Sequence, residues 1–201
     1  MSISNTFFRF VFAFSFFFIS FALIAEPTLE EVVVSARKVD ESVQDVPIAM
    51  SVFTSSDISD AGIERPEDFI ALTPNVVMAN TVNVGDTLVT IRGLTSTRDA
   101  ESNFAFVVDG VLQTNPNAFN RELLDIAQIE VLKGPQGALY GRNATSGAIL
   151  ITTKAPSEES ESTAVIGMGV NNASKLQYVN SGKMGDNVYT RFSVSTRETD
   201  G

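Results

Sequence analysis

The sequence predicts an α+β domain, a small mixed sheet with short helices, followed by antiparallel strands. Three observations support this prediction. Short strand-like and helical patterns are mixed between residues 47 and 156. A turn rich in glycine separates two strand-like segments within residues 126–154. After a polar linker, apolar and polar residues alternate through residues 162–201.

Residues 1–25 have the pattern of a secretory signal peptide. Arg9 precedes an uncharged run rich in phenylalanine, Phe10 to Ile24, and small residues allow a cut after Ala22 or Ala25. A membrane anchor is the alternative, but about 15 apolar residues fall short of the ~20 that a spanning helix needs. Loss of the peptide removes Arg9 and no acidic residue, and it changes the formal net charge from −10 to −11.

Composition excludes several classes of function. An acidic chain argues against nucleic acid or an anionic bilayer as a partner. The chain has no Cys and no His, so Ser-His, Cys-His and thiolate-metal chemistry are excluded, and we expect no enzyme, no bound metal and no cofactor. Asp109 and Glu130 are the remaining acid–base candidates, and a turn position and a strand position explain them better. A metal that is cargo should arrive already chelated.

Residues 26–46 contain one apolar island, EEVVVSARK at Glu30 to Lys38. A β-branched triplet between charges is too short to fold alone. It can add to the sheet edge of another protein through main-chain hydrogen bonds. The alternative is an N-terminal strand docked on its own domain.

Helices are predicted at three places in residues 47–156. Ser55, Ser56 or Asp57 can cap a short helix that runs toward Gly62. Pro66 to Leu72 carries proline and acidic residues in its first turn, which favours a second helix. Residues 120–125 are expected to form one helical turn.

Strands are predicted for the remaining apolar runs. Asp109-Gly110 is a favoured two-residue turn, so residues 104–112 read as a hairpin. The other predicted strands are residues 47–53, 75–79, 87–92, 126–133 and 148–153.

The glycine-rich turn indicates tight packing of main chain. Glycine accepts positive φ angles and close backbone approach. Phosphate binding is disfavoured, because neither a Gly-Lys-Ser/Thr loop nor a strand-to-helix GxGxxG motif is present.

The alternating segments at residues 162–201 have an apolar and a polar face. Ala164, Ile166 and Met168 share one face of the first segment, whereas Arg191 and Arg197 fall on the polar face of the last. Residues 175–181 fit the pattern less well. The alternation suits an outer-membrane barrel or an ordinary half-buried antiparallel sheet. Three strands cannot close a barrel.

Four sequence blocks resemble the TonB-dependent outer-membrane receptors, in which a plug domain sits inside a large barrel. The blocks are EEVVVSARK (30–38), VTIRG (89–93), VVDG (107–110) and IEVLKGPQGALYGRNATSGAI (129–149). The resemblance implies that residues 47–156 are an α+β plug domain and residues 162–201 the beginning of an antiparallel transmembrane β-barrel. It also implies that the chain is the amino-terminal part of a longer receptor or the product of a truncated reading frame.

The resemblance assigns four groups of residues. The segment that TonB grips, the Ton box, would be Glu30, Glu31, Val32, Val33, Val34, Ser35 and Ala36. Arg92 and Lys133 would lock the plug to barrel glutamates, or alternatively lie solvated at strand ends; lysine lacks the guanidinium fork, which should weaken its lock. The backbone motif would be Gly93, Gly110, Gly134, Pro135, Gly137, Gly141 and Gly147. Ligand-facing loop residues would be Thr97, Arg98, Asp99, Asn115 and Asn117.

The implied function is active uptake of a chelated nutrient across the outer membrane, with a ferric siderophore as the commonest cargo. The implied partners are a TonB-type energy transducer in the periplasm, an extracellular chelate or other small ligand, and outer-membrane lipid around the barrel. The alternative is a truncated remnant, or a soluble periplasmic plug-like binding module without transport activity.

Overall fold

The computed structural model describes residues 32–200, except residues 37, 40, 81–86 and 97–100. The predicted signal peptide lies outside the described residues. No helix in the described part of the chain is both long and apolar enough to cross a membrane. The elements are, in chain order, β1 (Val33–Val34), β2 (Glu41–Ser42), β3 (Met50–Thr54), α1 (Ser55–Asp60), α2 (Pro66–Ala71), β4 (Val76–Asn80), β5 (Thr87–Ile91), β6 (Leu94–Thr95), β7 (Phe104–Val108), β8 (Val111–Leu112), a 3₁₀ helix (Pro116–Asn120), β9 (Ile126–Lys133), α3 (Gly137–Tyr140), β10 (Gly147–Thr153), β11 (Glu161–Met168), β12 (Ser174–Lys183) and β13 (Tyr189–Glu198).

A five-stranded mixed sheet forms the centre of the plug-like region. Its strand order is β3-β9-β10-β7-β8, with β10 parallel to β7 and the other pairs antiparallel. β9 and β10 lie inside the sheet, and their apolar runs are buried on both faces, as expected for central strands. Among the described strands, β3 is at an edge of this sheet and pairs only with β9.

The main hydrophobic core lies on one face of this sheet. β4, β5 and β6 form a separate antiparallel sheet, and β4 and β5 pack there with α2 and the 3₁₀ helix. Phe69 is 0% exposed. The Phe119 ring meets Phe69, Phe104 and Phe106 edge-on, an arrangement that aromatic quadrupoles favour.

A second, smaller core lies on the opposite face, beneath β1 and β2. It contains Val34, Ala105, Leu132, Ala148 and Leu150. The mixed sheet is therefore covered on both sides, which places the first residues of the described chain against its second face.

β11, β12 and β13 form a separate antiparallel sheet in that order. Apolar side chains on one face are exposed: Ile166 is 73% exposed, Met168 92% and Phe192 60%. The opposite face meets the plug-like region, where Val179 is 6% and Ser181 0% exposed. These strands do not close into a barrel within the described residues.

Two local expectations are wrong. The α1 cap is Thr54, not Ser55, Ser56 or Asp57: Thr54 Oγ1 accepts from Asp57 N at 3.3 Å, and Asp57 Oδ2 accepts from Thr54 N at 2.8 Å. Residues 121–125 are not helical, because the helical turn comes earlier, at the 3₁₀ helix. In contrast, residues 175–181 lie within β12, a regular strand of 10 residues.

Candidate functional site

Residues 32–36, here called the N-terminal segment, lie against the second face of the mixed sheet. Val34 is 1% exposed and Ala36 is 0% exposed. β1, in this segment, pairs antiparallel with β2. Glu30 and Glu31, the first two residues predicted for the Ton box, lie outside the described residues.

Side chains of β9 occupy the other edge of β1. Gln128 Nε2 donates to Val33 O at 3.0 Å, and Glu130 Oε1 accepts from Ser35 N at 3.0 Å. Gln128 Nε2 also donates to Glu130 Oε1, which orients the 2% exposed carboxylate. With β2 on one edge and these side chains on the other, β1 has no free edge on which another strand can add.

Tyr140 holds the end of the N-terminal segment. Its hydroxyl donates to Ala36 O at 2.9 Å, and Lys38 Nζ lies 5.7 Å from the centre of its ring. Burial, followed by the negative charge of Glu130, raises the pKa of Tyr140 to about 12. The hydroxyl therefore keeps its proton at neutral pH and remains a donor.

Arg92 and Lys133 are the two predicted lock residues; Lys133 ends β9, and the Arg92 guanidinium lies beside the following residue, Gly134. Arg92 has a φ of 51° in the turn between β5 and β6, and its Nη1 lies 3.0 Å from where a Cβ on Gly134 would stand. Lys133 Nζ donates to Ser51 Oγ at 3.1 Å. No carboxylate in the described part of the chain forms an ion pair with either cation.

The residues of the predicted backbone motif differ in why their positions need glycine. Four glycines have positive φ: Gly93, Gly110, Gly134 and Gly141. Gly147 is needed for close approach, because a Cβ there would stand 2.2 Å from Leu132 O. Gly137 has open space around it, and Pro135 is exposed. Asp109, beside Gly110, accepts from Thr153 N at 2.8 Å and so ties the hairpin turn to β10.

The predicted ligand-facing residues are only partly described. Thr97, Arg98 and Asp99 lie outside the described residues. Asn115 is exposed just before the 3₁₀ helix, and Asn117 lies within it. Thr114 and Asn115 share a small cleft with Ser102 and Asn143, so the loop before the 3₁₀ helix meets the glycine-rich turn.

Asn103 joins two of these loops, and sequence reasoning missed it. Its Oδ1 accepts from Ser96 Oγ at 2.8 Å, and its Nδ2 donates to Leu94 O at 3.1 Å. Its main-chain oxygen accepts from Ser146 N at 2.9 Å. Asn103 thus connects the β5–β6 hairpin to the glycine-rich turn through hydrogen bonds.

A set of ion pairs between the plug-like region and β12–β13, here called the strand clasp, was also missed. Its first part centres on Arg191. Arg191 Nε and Nη2 donate to Asp125 Oδ2 and Oδ1 at 2.5 and 2.7 Å, and Nη1 donates to Glu161 Oε1 at 2.7 Å. The two parallel hydrogen bonds to Asp125 are the bidentate geometry that arginine favours with a carboxylate.

The second part of the strand clasp centres on Glu64. Lys175 Nζ donates to Glu64 Oε1 at 2.8 Å and lies 3.5 Å from Glu122, and Arg197 donates to Glu64 Oε2. The hydrogen bond from Lys175 is the main cause that lowers the pKa of Glu64, against an opposing effect of burial. The alternation of β13 had placed Arg191 and Arg197 on one face, which was the available sequence signal.

The described residues contain no group of three or more acidic side chains placed to hold a metal ion. Their chemistry is that of ion pairs and main-chain recognition. The strand clasp attaches the plug-like region to β12 and β13 through ion pairs. The N-terminal segment is attached to the mixed sheet by a few hydrogen bonds.

Sequence comparison gives one family and several relatives. The family model described as TonB-dependent Receptor Plug Domain matches residues 42–148. The pesticin receptor of Yersinia enterocolitica is 31% identical over 132 residues, covering 65% of this chain and 19% of that protein. The vitamin B12 transporter BtuB of Vibrio vulnificus is 28% identical over 180 residues, covering 87% of this chain and 28% of that protein.

Solved structures agree with the fold. The ferric yersiniabactin uptake receptor FyuA from Yersinia pestis is 27% identical with a TM-score of 0.66, covering 74% of this chain and 24% of that chain. The ferripyoverdine receptor of the outer membrane of Pseudomonas aeruginosa, at 19% identity and a TM-score of 0.70, covers 84% and 22% and shows the fold alone. The chain spans about a fifth to a quarter of the length of most of these proteins.

Proposed function

Because the plug-domain family model covers more than half of the chain, the chain belongs to the TonB-dependent receptors, and we propose that it is the gating region of an outer-membrane transporter for a chelated nutrient. One observation carries this proposal. The sheet of β11 to β13 turns a polar, cationic face to the plug and an exposed apolar face away from it. That is the arrangement of a plug against a membrane wall.

In this proposal the chain has four parts. Residues 1–25 are a signal peptide for export, and residues 26–46 carry the Ton box. Residues 47–156 form the plug, and residues 162–201 are the first strands of the barrel. The apolar face that includes Ile166 and Phe192 would meet outer-membrane lipid, because so much exposed apolar surface is unfavourable in water.

The N-terminal segment would be the site of TonB. A β-branched strand can pair with another protein through its main chain, but both edges of β1 are occupied here. TonB would therefore act on the segment after it has left Gln128, Glu130 and Tyr140. Within the described residues it is held by a few hydrogen bonds and by the buried side chains of Val34 and Ala36, so we expect its release to cost much less than unfolding the plug.

Arg92 and Lys133 would lock the plug to barrel carboxylates. The lack of a carboxylate partner for either residue in the described plug, and the position of the Arg92 guanidinium beside Gly134 at the end of β9, support this role. Lys133 can make only a point-charge contact, so Arg92 would be the stronger of the two.

The cargo would be a ferric siderophore. The support is the ferric yersiniabactin uptake receptor FyuA among the solved structures, and a vitamin B12 transporter among the relatives is the reason to test a second ligand class. The polar loops with Thr97, Arg98, Asp99, Asn115 and Asn117 would contribute hydrogen bonds to the chelate.

The test uses the complete receptor gene that carries this chain. It is expressed in a strain that lacks its own siderophore receptors, and growth under iron limitation is measured with ferric yersiniabactin, ferrichrome or ferripyoverdine. Growth on vitamin B12 is measured in a cobalamin-requiring strain. We expect one ligand to support growth that depends on TonB.

Two variants at one position test the role of the N-terminal segment. Val33→Pro removes a main-chain donor and should abolish uptake, whereas Val33→Ile keeps a β-branched strand residue and should retain it. Full uptake by the proline variant would show that TonB does not pair with this segment. Growth on no ligand, with the receptor present in the outer membrane, would argue against nutrient transport.

A further inference from the structure

The strand clasp holds the plug at two separate levels of the same strands. Arg191 and Arg197 lie six residues apart on β13, which is roughly 20 Å along a strand. Their partners, Asp125 and Glu64, come from different parts of the plug. Two attachments at this separation prevent the plug face from rotating or sliding along the strands, which a single ion pair would not do.

The pair of Arg191 and Asp125 is well shielded from water, whereas the Glu64 and Arg197 side chains are 34% and 37% exposed. The side chains of Arg191 and Asp125 are 13% and 8% exposed, and that of Lys175 is 14% exposed. Separating such a pair leaves charges in a poorly solvated place, so it is far less favourable than breaking an exposed pair. The N-terminal segment has no comparable attachment in the described part of the chain.

A cavity of about 450 Å³ lies between the plug and β11 to β13. Glu64, Asp125, Lys175 and Arg191 all line it, so the strand clasp forms part of its boundary. A chelate that crossed the membrane through this gap would have to separate both parts of the clasp at once.

We propose that the strand clasp is the sealed side of the plug, closed at rest and during transport, so that the nutrient crosses along another side. This rests on the proposed transport function. The charges that cross from plug to strands are reversed relative to the lock at Arg92 and Lys133: the plug supplies Asp125, Glu64 and Glu122, and the strands supply the cations, with Glu161 as one further carboxylate on β11. The two sets of contacts can thus be broken independently by substitution.

The first test measures leakage and requires no knowledge of the ligand. In the complete receptor, Asp125→Arg places like charges together, and we expect the inhibitory concentration of vancomycin to fall by at least about fourfold. The swap Asp125→Arg with Arg191→Asp should restore it to within about twofold of the unmodified receptor. Asp60→Arg, the same charge change at an exposed plug residue, should have no effect.

Receptor levels in the outer membrane are compared for all variants. Unchanged vancomycin sensitivity of Asp125→Arg at a normal level would overturn the proposal. If Asp125→Arg is present in the outer membrane at a low level and the double swap restores the normal level, the result would still support the contact, because the swap restores opposite charges.

The second test asks whether the clasp stays closed during uptake. The chain has no Cys, so Asp125→Cys with Arg191→Cys can be joined by a cleavable bis-maleimide. Val33→Cys with Gln128→Cys is joined in the same way as the comparison. Uptake is measured with whichever of ferric yersiniabactin, ferrichrome, ferripyoverdine or vitamin B12 supports growth.

We expect the linked clasp to keep most of its uptake and the linked N-terminal segment to lose it until the linker is cleaved. Loss of uptake in the linked clasp, regained on cleavage, would overturn the proposal. Full uptake with the N-terminal segment linked would instead contradict the proposed role of that segment, and the two failures are therefore distinguishable.

Discussion

Gly147→Ala is predicted to destabilise the plug strongly, because the main chain of β9 fills the space that a methyl group would need. The new Cβ would stand 2.2 Å from Leu132 O and 3.2 Å from Ile91 Cδ1. An ordinary C···O contact is about 3.3 Å, so β9 and β10 would have to separate by roughly 1 Å at this point. Both strands are internal, so the shift would also disturb their other neighbours.

The expected loss combines two effects. Overpacking a well-packed core costs about 1–3 kcal/mol, and a buried main-chain hydrogen bond that is lost costs about 1–3 kcal/mol. We expect about 4 kcal/mol in total, which for a chain of this size lowers the Tm by roughly 8–16 °C.

Gly137→Ala is the matched control in the same turn. Its Cβ would have no atom within 4 Å, and its φ is outside the positive region. We expect this variant to gain about 0.4–1 kcal/mol, because alanine restricts the unfolded chain. The free energy of unfolding is measured in detergent by far-ultraviolet circular dichroism, since the chain has no Trp. Equal stability of the two variants would refute the close-approach argument for Gly147.

Three further predictions follow from contacts described above. Tyr140→Phe leaves Ala36 O without its donor, which costs about 1.4 kcal/mol. The variant should therefore raise the rate of trypsin cleavage beside the N-terminal segment about tenfold. An unchanged rate would show that this hydrogen bond does not hold the segment. Thr54→Ala removes the side-chain cap of α1 and should lower the free energy of unfolding by about 1 kcal/mol in urea titrations, whereas a loss near zero would mean that the cap is dispensable. The pKa of Glu64 is lowered in the folded chain, so the stability that its ion pairs contribute is present above the ordinary pKa of 4.5 and is lost as pH falls through the folded value. The difference in free energy of unfolding between the unmodified chain and Glu64→Gln should therefore shrink below about pH 4.5. A difference that does not depend on pH would contradict the ion pairs.

The sequence predicted the elements whose signals are local. β9 was predicted with its observed bounds, Ile126–Lys133, because an apolar-rich run directly precedes the glycine-rich turn that begins at Gly134. The β7–β8 hairpin follows from Asp109-Gly110, whose φ angles are both positive. The family resemblance is confirmed by the plug-domain match, and the mixed sheet with short helices is as expected.

Features that depend on distant partners could not be predicted. Arg191 and Asp125 are 66 residues apart and Lys175 and Glu64 are 111 apart, so alternation could place the cations on a face but could not identify their partners. The cap of α1 was missed because Thr54 ends a strand, β3, and capping residues were sought after it. The roles of the Ton box, the lock and the ligand-facing loops stay predictions, since no contact within the described residues tests them.

The outer strands of the last sheet, β11 and β13, each have one long margin with no strand partner within the described residues. Such margins, next to side chains as exposed as Met168 and Phe192, readily recruit copies of themselves in water. Dimers or fibrils in a purified preparation of this chain would accordingly reflect non-native pairing of these edge strands. They would carry no information about the oligomeric state of the protein in the cell.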